Sequence, residues 1–281
     1  MRAQLHRLRG ETSEPPHASI IVPVNAHGDL STVLPLLGDI ASYRGPHTLE
    51  VILVINNYPP ERPPPEIEHL RSLGIRVMAV PSVLRRGYAP ALRARMHGLS
   101  AAAAEAALLF DADCRIPSPT TLIDWYVHQL RNGAQVAYTH VGHHDLPPDL
   151  TVRIRMRIHH TSRWAKRVIG RVPTTRGSNY AVARTAVLRR YEEGFIADEM
   201  HVGPAMKAAG GRVVYGGAKD LMVLTSARRI SGGWAKLAQY FTSRLRYNIR
   251  ALRVRPDAAR YTGREDVPRA AKKGSRGTPP D

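Results

Sequence analysis

Ser19-Ile20-Ile21-Val22-Pro23-Val24-Asn25-Ala26-His27-Gly28-Asp29 is an unbroken apolar run that ends in a turn and restarts on an acid. Six such residues bounded by turn formers fit a strand buried on both faces better than a half-exposed one. Asp29-Leu30-Ser31-Thr32 then opens a helix, with Leu34, Leu37, Ile40 and Ala41 on one face. The alternation recurs downstream. Glu50–Ile55 predicts a second strand that stops at Asn56-Asn57-Tyr58-Pro59-Pro60, Glu66–Leu73 a short helix, and Ile75–Val80 a third strand. Tyr88–Ala107 is alanine-rich and predicts a helix. Leu108–Phe110 is a short strand running directly into Asp111-Ala112-Asp113, followed by a helix over Thr120–Arg131 and a strand over Gln135–His140. Strands and helices in this order predict an α/β domain, a mostly parallel sheet with helices on its faces. Ligands of such sheets sit beyond the carboxyl ends of the strands. Those ends are Asn25, Asn56-Asn57, Pro81–Gly87 and Asp111–Asp113, and they are expected to converge on one cleft.

The second half is less regular. Val152–Ile158 alternates apolar residues with arginine as a strand would, yet Ile154, Ile158, Trp164 and Val168 also fit a helical stripe, and helix is the preferred reading. Arg176–Arg184 reads as a loop entering a helix, Gly194–Gly210 as a loop and helix around Asp198-Glu199, Gly211–Tyr215 as a strand, and Trp234–Arg253 as an amphipathic basic helix. Residues 1–17 read as a flexible leader and 256–281 as a disordered basic tail, leaving 18–250 as a single domain without internal repeats.

Of the 281 residues 43% are hydrophobic and 23% charged, enough apolar material for a sizeable core, which excludes collagen-like, coiled-coil and wholly disordered chains. A single cysteine, Cys114, excludes an intrachain disulfide framework and a cysteine-based zinc site. No apolar run approaches the roughly 18–20 residues that span a bilayer, and Met1–Gly10 lacks the apolar stretch of a secretory signal. The expected location is cytoplasmic, with peripheral contact at the inner face of the membrane compatible with the charge. That charge is +18, from 41 Lys and Arg against 23 acids. Thr151–Arg171 holds seven cations and no acid, and Ser226–Arg250 six and none, so thirteen of the eighteen lie in two stretches. Concentrated positive charge suits phosphate, in a nucleotide, a nucleic acid or an anionic membrane, and equally a solvated basic face.

Asp111-Ala112-Asp113 is the sharpest chemical feature. Two carboxylates at i, i+2 after an apolar strand make a compact hard-oxygen site that suits Mg²⁺ or Mn²⁺, although aspartate is also common in plain turns. The runs SIIVPVN, EVILVINN, RRGYAPALRARMHGL, LLFDADCRIP, RGSNYAVAR and ADEMHVGPAMKAAGGRVVY follow one another in an order that resembles the inverting glycosyltransferases of family 2, on the Rossmann-like GT-A fold. The resemblance covers roughly Ala18 to Gln239 and implies a nucleotide-sugar-binding half over 18–140 and an acceptor half over 141–250.

Position by position, the resemblance implies that Pro23 and Asn25 occupy the first-strand loop that holds the nucleotide. Asn56 and Asn57 stand where the family commonly has two acids, one of them reading the base, and an asparagine amide still pairs with a uracil or guanine edge. Arg86, Gly87 and Arg93 fall in the loop and helix facing the nucleotide. Asp111 would meet the ribose or base side and Asp113 the divalent cation. Glu199, with Asp198 beside it, takes the place of the base that removes the acceptor hydroxyl proton; acids are also favoured at a helix N-terminus. Gly177, Ser178 and Asn179, with Arg176, match the acceptor-side loop, and Ser178 or Asn179 equally fits a helix N-cap. Arg228, in Thr225–Arg229, is placed to help hold the diphosphate. The Gln-x-x-Arg-Trp pattern of the processive members is missing, since Gln239 and Arg244 have the wrong spacing and no tryptophan follows.

The expected partners are therefore a nucleotide-sugar donor, UDP-linked by preference, and a hydroxyl acceptor, anionic if the arginines Arg153, Arg155, Arg157, Arg163 and Arg167 face it; no stable nucleic-acid partner is expected. A sugar nucleotidyltransferase would begin with a glycine-rich loop after the first strand, which Asn25–Asp29 is not. The competing reading is a non-catalytic basic protein on a degenerate GT-A fold that holds nucleic acid or anionic lipid; it has the charge and Asn56-Asn57 in its favour, and three intact carboxylates against it. His140, His143 and His144 read as a solvated loop sooner than as metal ligands, and His201, two residues from Glu199, has the better claim to touch a cation.

Overall fold

β1 (Ala18–Asn25) is buried along all but its last residue and β2 (Leu49–Asn56) along its whole length, as unbroken apolar runs require. The two are parallel and in register from Ala18 against Leu49 to Asn25 against Asn56. In this computed structural model residues 15–72, 75–81, 90–146, 149–196, 198–227 and 242 are described. The leader up to residue 14, Arg86, Arg228, the basic helix expected over Trp234–Arg253 (Thr242 apart) and the tail lie outside them.

β3 (Arg76–Val80), β4 (Ala106–Leu109), β5 (Val136–Thr139), β7 (Tyr180–Ala183) and β8 (Val213–Gly216) complete a seven-stranded sheet among the described residues, in the order β3-β2-β1-β4-β7-β5-β8. β7 runs antiparallel to both its neighbours and every other pair is parallel. A separate two-stranded ribbon joins β6 (Val141–His143) to β9 (Val223–Thr225).

Helices cover both faces. Ile20, Val22 and Val24 pack on one side with Leu36, Leu37 and Ile40 of α1 (Val33–Ala41), Leu70 of α2 (Glu66–Ser72) and Tyr126 of α4 (Pro119–Arg131). Ile21, Ile52 and Val54 point to the other side, against Leu92, Met96 and Leu99 of α3 (Pro90–Ala101), Val187 of α6 (Arg184–Glu192) and Met206 of α7 (Val202–Ala208). Each such fully buried side chain contributes about 1.5–3 kcal/mol. Gly98 lets α3 settle on the sheet, since a Cβ there would meet Ile21 Cγ2 at 2.5 Å. The long α5 (Leu150–Val168) settles the ambiguity at Val152–Ile158 as helix, with Asp149 accepting from Thr151 N–H at 2.7 Å as its N-cap.

Two boundaries differ from the sequence expectation. The alanine-rich helix stops at Ala101, and Ala106–Ala107 begin β4, because Ala107 to Leu109 complete the sheet beside Ser19–Ile21; pairing overrides the helix propensity of alanine. Tyr180–Ala183, expected within a loop, is the strand that joins β4 to β5. Ser178 and Asn179 therefore precede a strand and do not cap a helix. Among the described residues no helix is long and apolar enough to cross a membrane.

Candidate active site

The sheet order places β2 and β3 to one side of β1 and β4 to the other, and at such a reversal the loops diverge and leave a crevice. The ladder from β1 to β4 ends at Ile21 against Leu109, two residues before Pro23, which has no N–H to extend it. The ladder to β2 continues to Asn25. Asn25 Oδ1 accepts from the N–H of His27 at 3.0 Å and from Asn57 Nδ2 at 2.9 Å. Asn57 takes φ of 63°, a left-handed conformation that asparagine tolerates, and buried Asn56 donates to Val54 O at 3.4 Å. Three of the expected nucleotide-binding residues thus lie together at the neighbouring carboxyl ends of β1 and β2.

Asp111-Ala112-Asp113 lies across the crevice. One ligand atom from each of Asp111, Asp113 and Cys114 falls within 4.8 Å of the others. Burial first, then the charges of Asp111 and Asp113, push the Cys114 thiol well up. The two carboxylates are the hard oxygens that fit Mg²⁺ or Mn²⁺, cations that prefer oxygen to sulfur. The β6–β9 ribbon holds this turn from above: Thr225 Oγ1 donates to Asp113 Oδ1 at 3.2 Å and His144 Nε2 lies 3.1 Å from Asp113 O. Arg115 exchanges backbone hydrogen bonds with Leu224 and grips Asp39 at 2.8 and 3.0 Å.

The residue that organises the centre is one the sequence reading passed over. Arg95, fully buried on α3, forms ion pairs with both Asp111 and Glu199 and donates to Gly177 O at 2.9 Å. Its signal was present: Leu92, Arg95, Met96 and Leu99 share one helical face, and an arginine at a core position needs anionic partners. A Cβ at Gly177 would lie 2.5 Å from Arg95 Nη2, 2.8 Å from Asp111 Oδ1 and 2.9 Å from Glu199 Oε2, so any side chain there would have to displace the ends of these three. The paired acids divide their work. Asp198 accepts from Met200 N–H at 2.9 Å and caps the 3-10 turn Glu199–His201, while Glu199 turns into the crevice. Thr175 Oγ1 ties this turn to the neighbouring loop by donating to Glu199 O at 3.3 Å. Ser178 is buried beside Cys114, and Asn179 is wholly buried, accepting from Arg176 N–H at 3.1 Å and donating to Thr139 O.

Arg176 links this loop to a histidine cluster by its hydrogen bond to His159 Nε2. His140 stacks on His160 at 5.2 Å, and His143 lies edge-on to His160 at 6.2 Å. These rings do not bring three ligand atoms together; among the described residues only Asp111, Asp113 and Cys114 do. Buried His201 is not part of that group either. Burial, then Arg176, pushes His143 down to about 4; burial, then His140, does the same to His160. His159 is lowered further by burial and by Arg176 and Arg163. The unfolded chain therefore binds more protons below pH 6.5, and stability falls as pH drops from there toward about 4. Solvent screening at these half-buried rings limits the effect to about 1 kcal/mol each. The melting temperature is expected to decline over this window, and His143→Gln to flatten the decline; equal slopes would contradict it.

Next to the cluster, a cleft of 390 Å³ is lined by His140, His160, Thr161, Arg163, Trp164 and Arg167. Arg167 lies over the Tyr215 ring at 3.7 Å. The arginines of α5 do not form one basic face: Arg155 and Arg163 are buried, and Arg153 and Arg157 face outward.

No family model matches the sequence, and comparison with curated proteins finds no match. Solved structures do match. Mannosyltransferase PcManGT from Pyrobaculum calidifontis, in complex with GDP-Man and Mn²⁺, superposes with a TM-score of 0.54 at 18% identity, over 87% of this chain and 70% of that one. Glucosyl-3-phosphoglycerate synthase from Mycobacterium tuberculosis, in complex with Mn²⁺, UDP-glucose and phosphoglyceric acid, matches with a TM-score of 0.45 at 15% identity, over 85% and 83%. S. aureus TarS 1–349 matches with a TM-score of 0.46 at 18% identity, over 76% and 61%. The chain has the GT-A fold of nucleotide-sugar glycosyltransferases.

Proposed function

We propose that this chain is a metal-dependent, inverting glycosyltransferase of the family 2 type, which moves a single sugar from a nucleoside-diphosphate sugar to a hydroxyl acceptor. The observation that carries the reading is the double ion pair of Arg95, which holds Asp111 of the Asp-Ala-Asp turn and Glu199 on the two terminal nitrogens of one guanidinium at the strand-order reversal. Donor-binding and proton-accepting carboxylates then share a crevice without sharing a strand.

In this reading Asn25, Asn56 and Asn57, with Pro23 shaping the opening, meet the nucleoside. Their amides suit a base edge, with uridine preferred. Asp113, with Asp111 beside it, would hold Mg²⁺ or Mn²⁺, which supplies charge stabilisation for the departing diphosphate. Arg86 and Arg228 are proposed to assist on the phosphates. Glu199 accepts the proton of the acceptor hydroxyl as its oxygen attacks the anomeric carbon, and Asp198 fixes the turn that aims it. Arg95 holds the Glu199 carboxyl in place. Gly177 leaves the approach to Glu199 clear, while Ser178 and Asn179 shape the loop around it. The acceptor is proposed to carry an anionic group, because the cleft beside Arg176 is lined by Arg163 and Arg167.

Thermal shift against nucleoside diphosphates, with and without Mn²⁺, tests the donor side by mass action. One nucleotide is expected to raise the melting temperature only with metal, by several degrees at about a hundredfold excess over Kd, and Asp113→Ala to abolish the shift. In the same panel simple phosphomonoesters are expected to stabilise wild type and not Arg167→Ala. If no nucleotide shifts the protein while short DNA does, the reading fails and the Asp-Ala-Asp turn is structural.

A further inference from the structure

Helix α5 is apolar on the wrong side. At 100° per residue, Val152, Arg155, Met156, His159 and Arg163 fall on one face and are buried. Among the described residues eight large apolar side chains are exposed, and six of them, Leu150, Ile154, Ile158, Trp164, Val168 and Ile169, belong to α5 or its C-cap. They form a stripe diametrically opposite the buried face, along a helix about 28 Å long. Ile154 and Ile158 are 44% and 45% exposed, and Trp164 is 50% exposed. Arg153 and Arg157, both exposed, fall within or beside the same arc.

We infer that this outer face of α5 docks on a bilayer carrying anionic headgroups. Its charge selects the partner. Thr151–Arg171 has seven cations and no acid, so a second copy of α5 would set arginine against arginine. The chain's own segment Ser226–Arg250, with six cations and no acid, is equally mismatched. A nucleic acid would satisfy Arg153 and Arg157 and leave the isoleucines in water. An anionic membrane surface satisfies both sets, taking isoleucine and tryptophan below the headgroups and arginine among them. Lying flat, α5 would hold the crevice at the membrane surface while spanning nothing. Trp164 also lines the cleft proposed for the acceptor. Ile154, Ile158, Arg153 and Arg157, on which the test rests, line neither the cleft nor the crevice, so the inference does not depend on the transferase reading.

Co-sedimentation of the full chain with vesicles of phosphatidylcholine, with and without phosphatidylglycerol, tests it. Wild type is expected to bind the anionic vesicles and not the neutral ones. Ile154→Ser with Ile158→Ser, which changes no charge and touches only exposed positions, is expected to weaken binding at least about tenfold, as is Arg153→Glu with Arg157→Glu. A melting curve for each variant checks that the fold is intact. The inference is overturned if wild type ignores anionic vesicles. It is also overturned if the serine pair binds like wild type, because adhesion would then be charge alone. A third contrary outcome is a serine pair that weakens binding to short duplex DNA as much as to vesicles. Nucleotide-dependent thermal shifts are read separately, so either result leaves the donor test standing or falling on its own.

Discussion

Glu199→Gln is expected to lower kcat by about 10²–10⁴-fold while nucleotide affinity stays within roughly twofold of wild type. Glutamine keeps the shape of glutamate and can still accept from Arg95 through its carbonyl oxygen, so the geometry of the crevice should persist. What it loses is the capacity to take a proton. Asp198→Asn provides the contrast. Asp198 is spent on the N–H of Met200, and asparagine caps a turn nearly as well, so kcat should change little and stability by less than about 1 kcal/mol. Single-turnover rates on both variants, beside their thermal shifts with nucleotide, separate the two roles. A Glu199→Gln enzyme at wild-type rate would remove Glu199 as the base.

Arg95→Met is the second large effect, and it falls on stability. The guanidinium is fully buried and holds Asp111, Glu199 and the Gly177 carbonyl together. Methionine fills much of its volume, which leaves the loss of charge as the main change. Breaking a buried pair from one side costs about 3–5 kcal/mol. Here the side chains of Asp111 and Glu199 remain 39% and 23% exposed and regain some water, so a loss of about 2 kcal/mol is expected. Two carboxylates freed of their counter-charge should also respond more strongly to a cation. Mn²⁺ is expected to raise the melting temperature of Arg95→Met by more than it raises that of wild type. A variant as stable as wild type, or indifferent to Mn²⁺, would mean that Arg95 is a packing residue whose charge does not matter.

Much of the first half was legible because its signals are local. SIIVPV and EVILVI are too apolar and too short for anything but buried strands, and each ends in residues that turn. The Asp-Ala-Asp turn was legible for the same reason. What escaped was decided by partners far away in sequence. Tyr180–Ala183 lies in a stretch that reads as a loop entering a helix, and only the unpaired edges of β4 and β5 make it a strand. Ala101–Ala107 has the composition of a helix, and the sheet takes its second part. Arg95 looks like any arginine on a helix until the phase of Leu92, Met96 and Leu99 is read along with it. The arginines of α5 looked like one basic surface, but a period of 3.6 sends Arg155 and Arg163 inward and Arg157 outward. The histidine cluster likewise depends on α5 lying against β6, which no spacing in the sequence announces.

The position of β7 has a consequence for how the protein is made. β4 and β5 never touch as a pair; β7 threads between them, antiparallel to both, and it is encoded about 40 residues after β5 ends. As the chain leaves the ribosome, β1, β2 and β4 can assemble early, yet the right-hand edge of β4 stays open until residue 183 has emerged. At about 5–20 residues per second, that is a window of several seconds in which an apolar edge lacks its only legitimate partner. Fragments cut between β5 and β7 would carry the same open edge permanently.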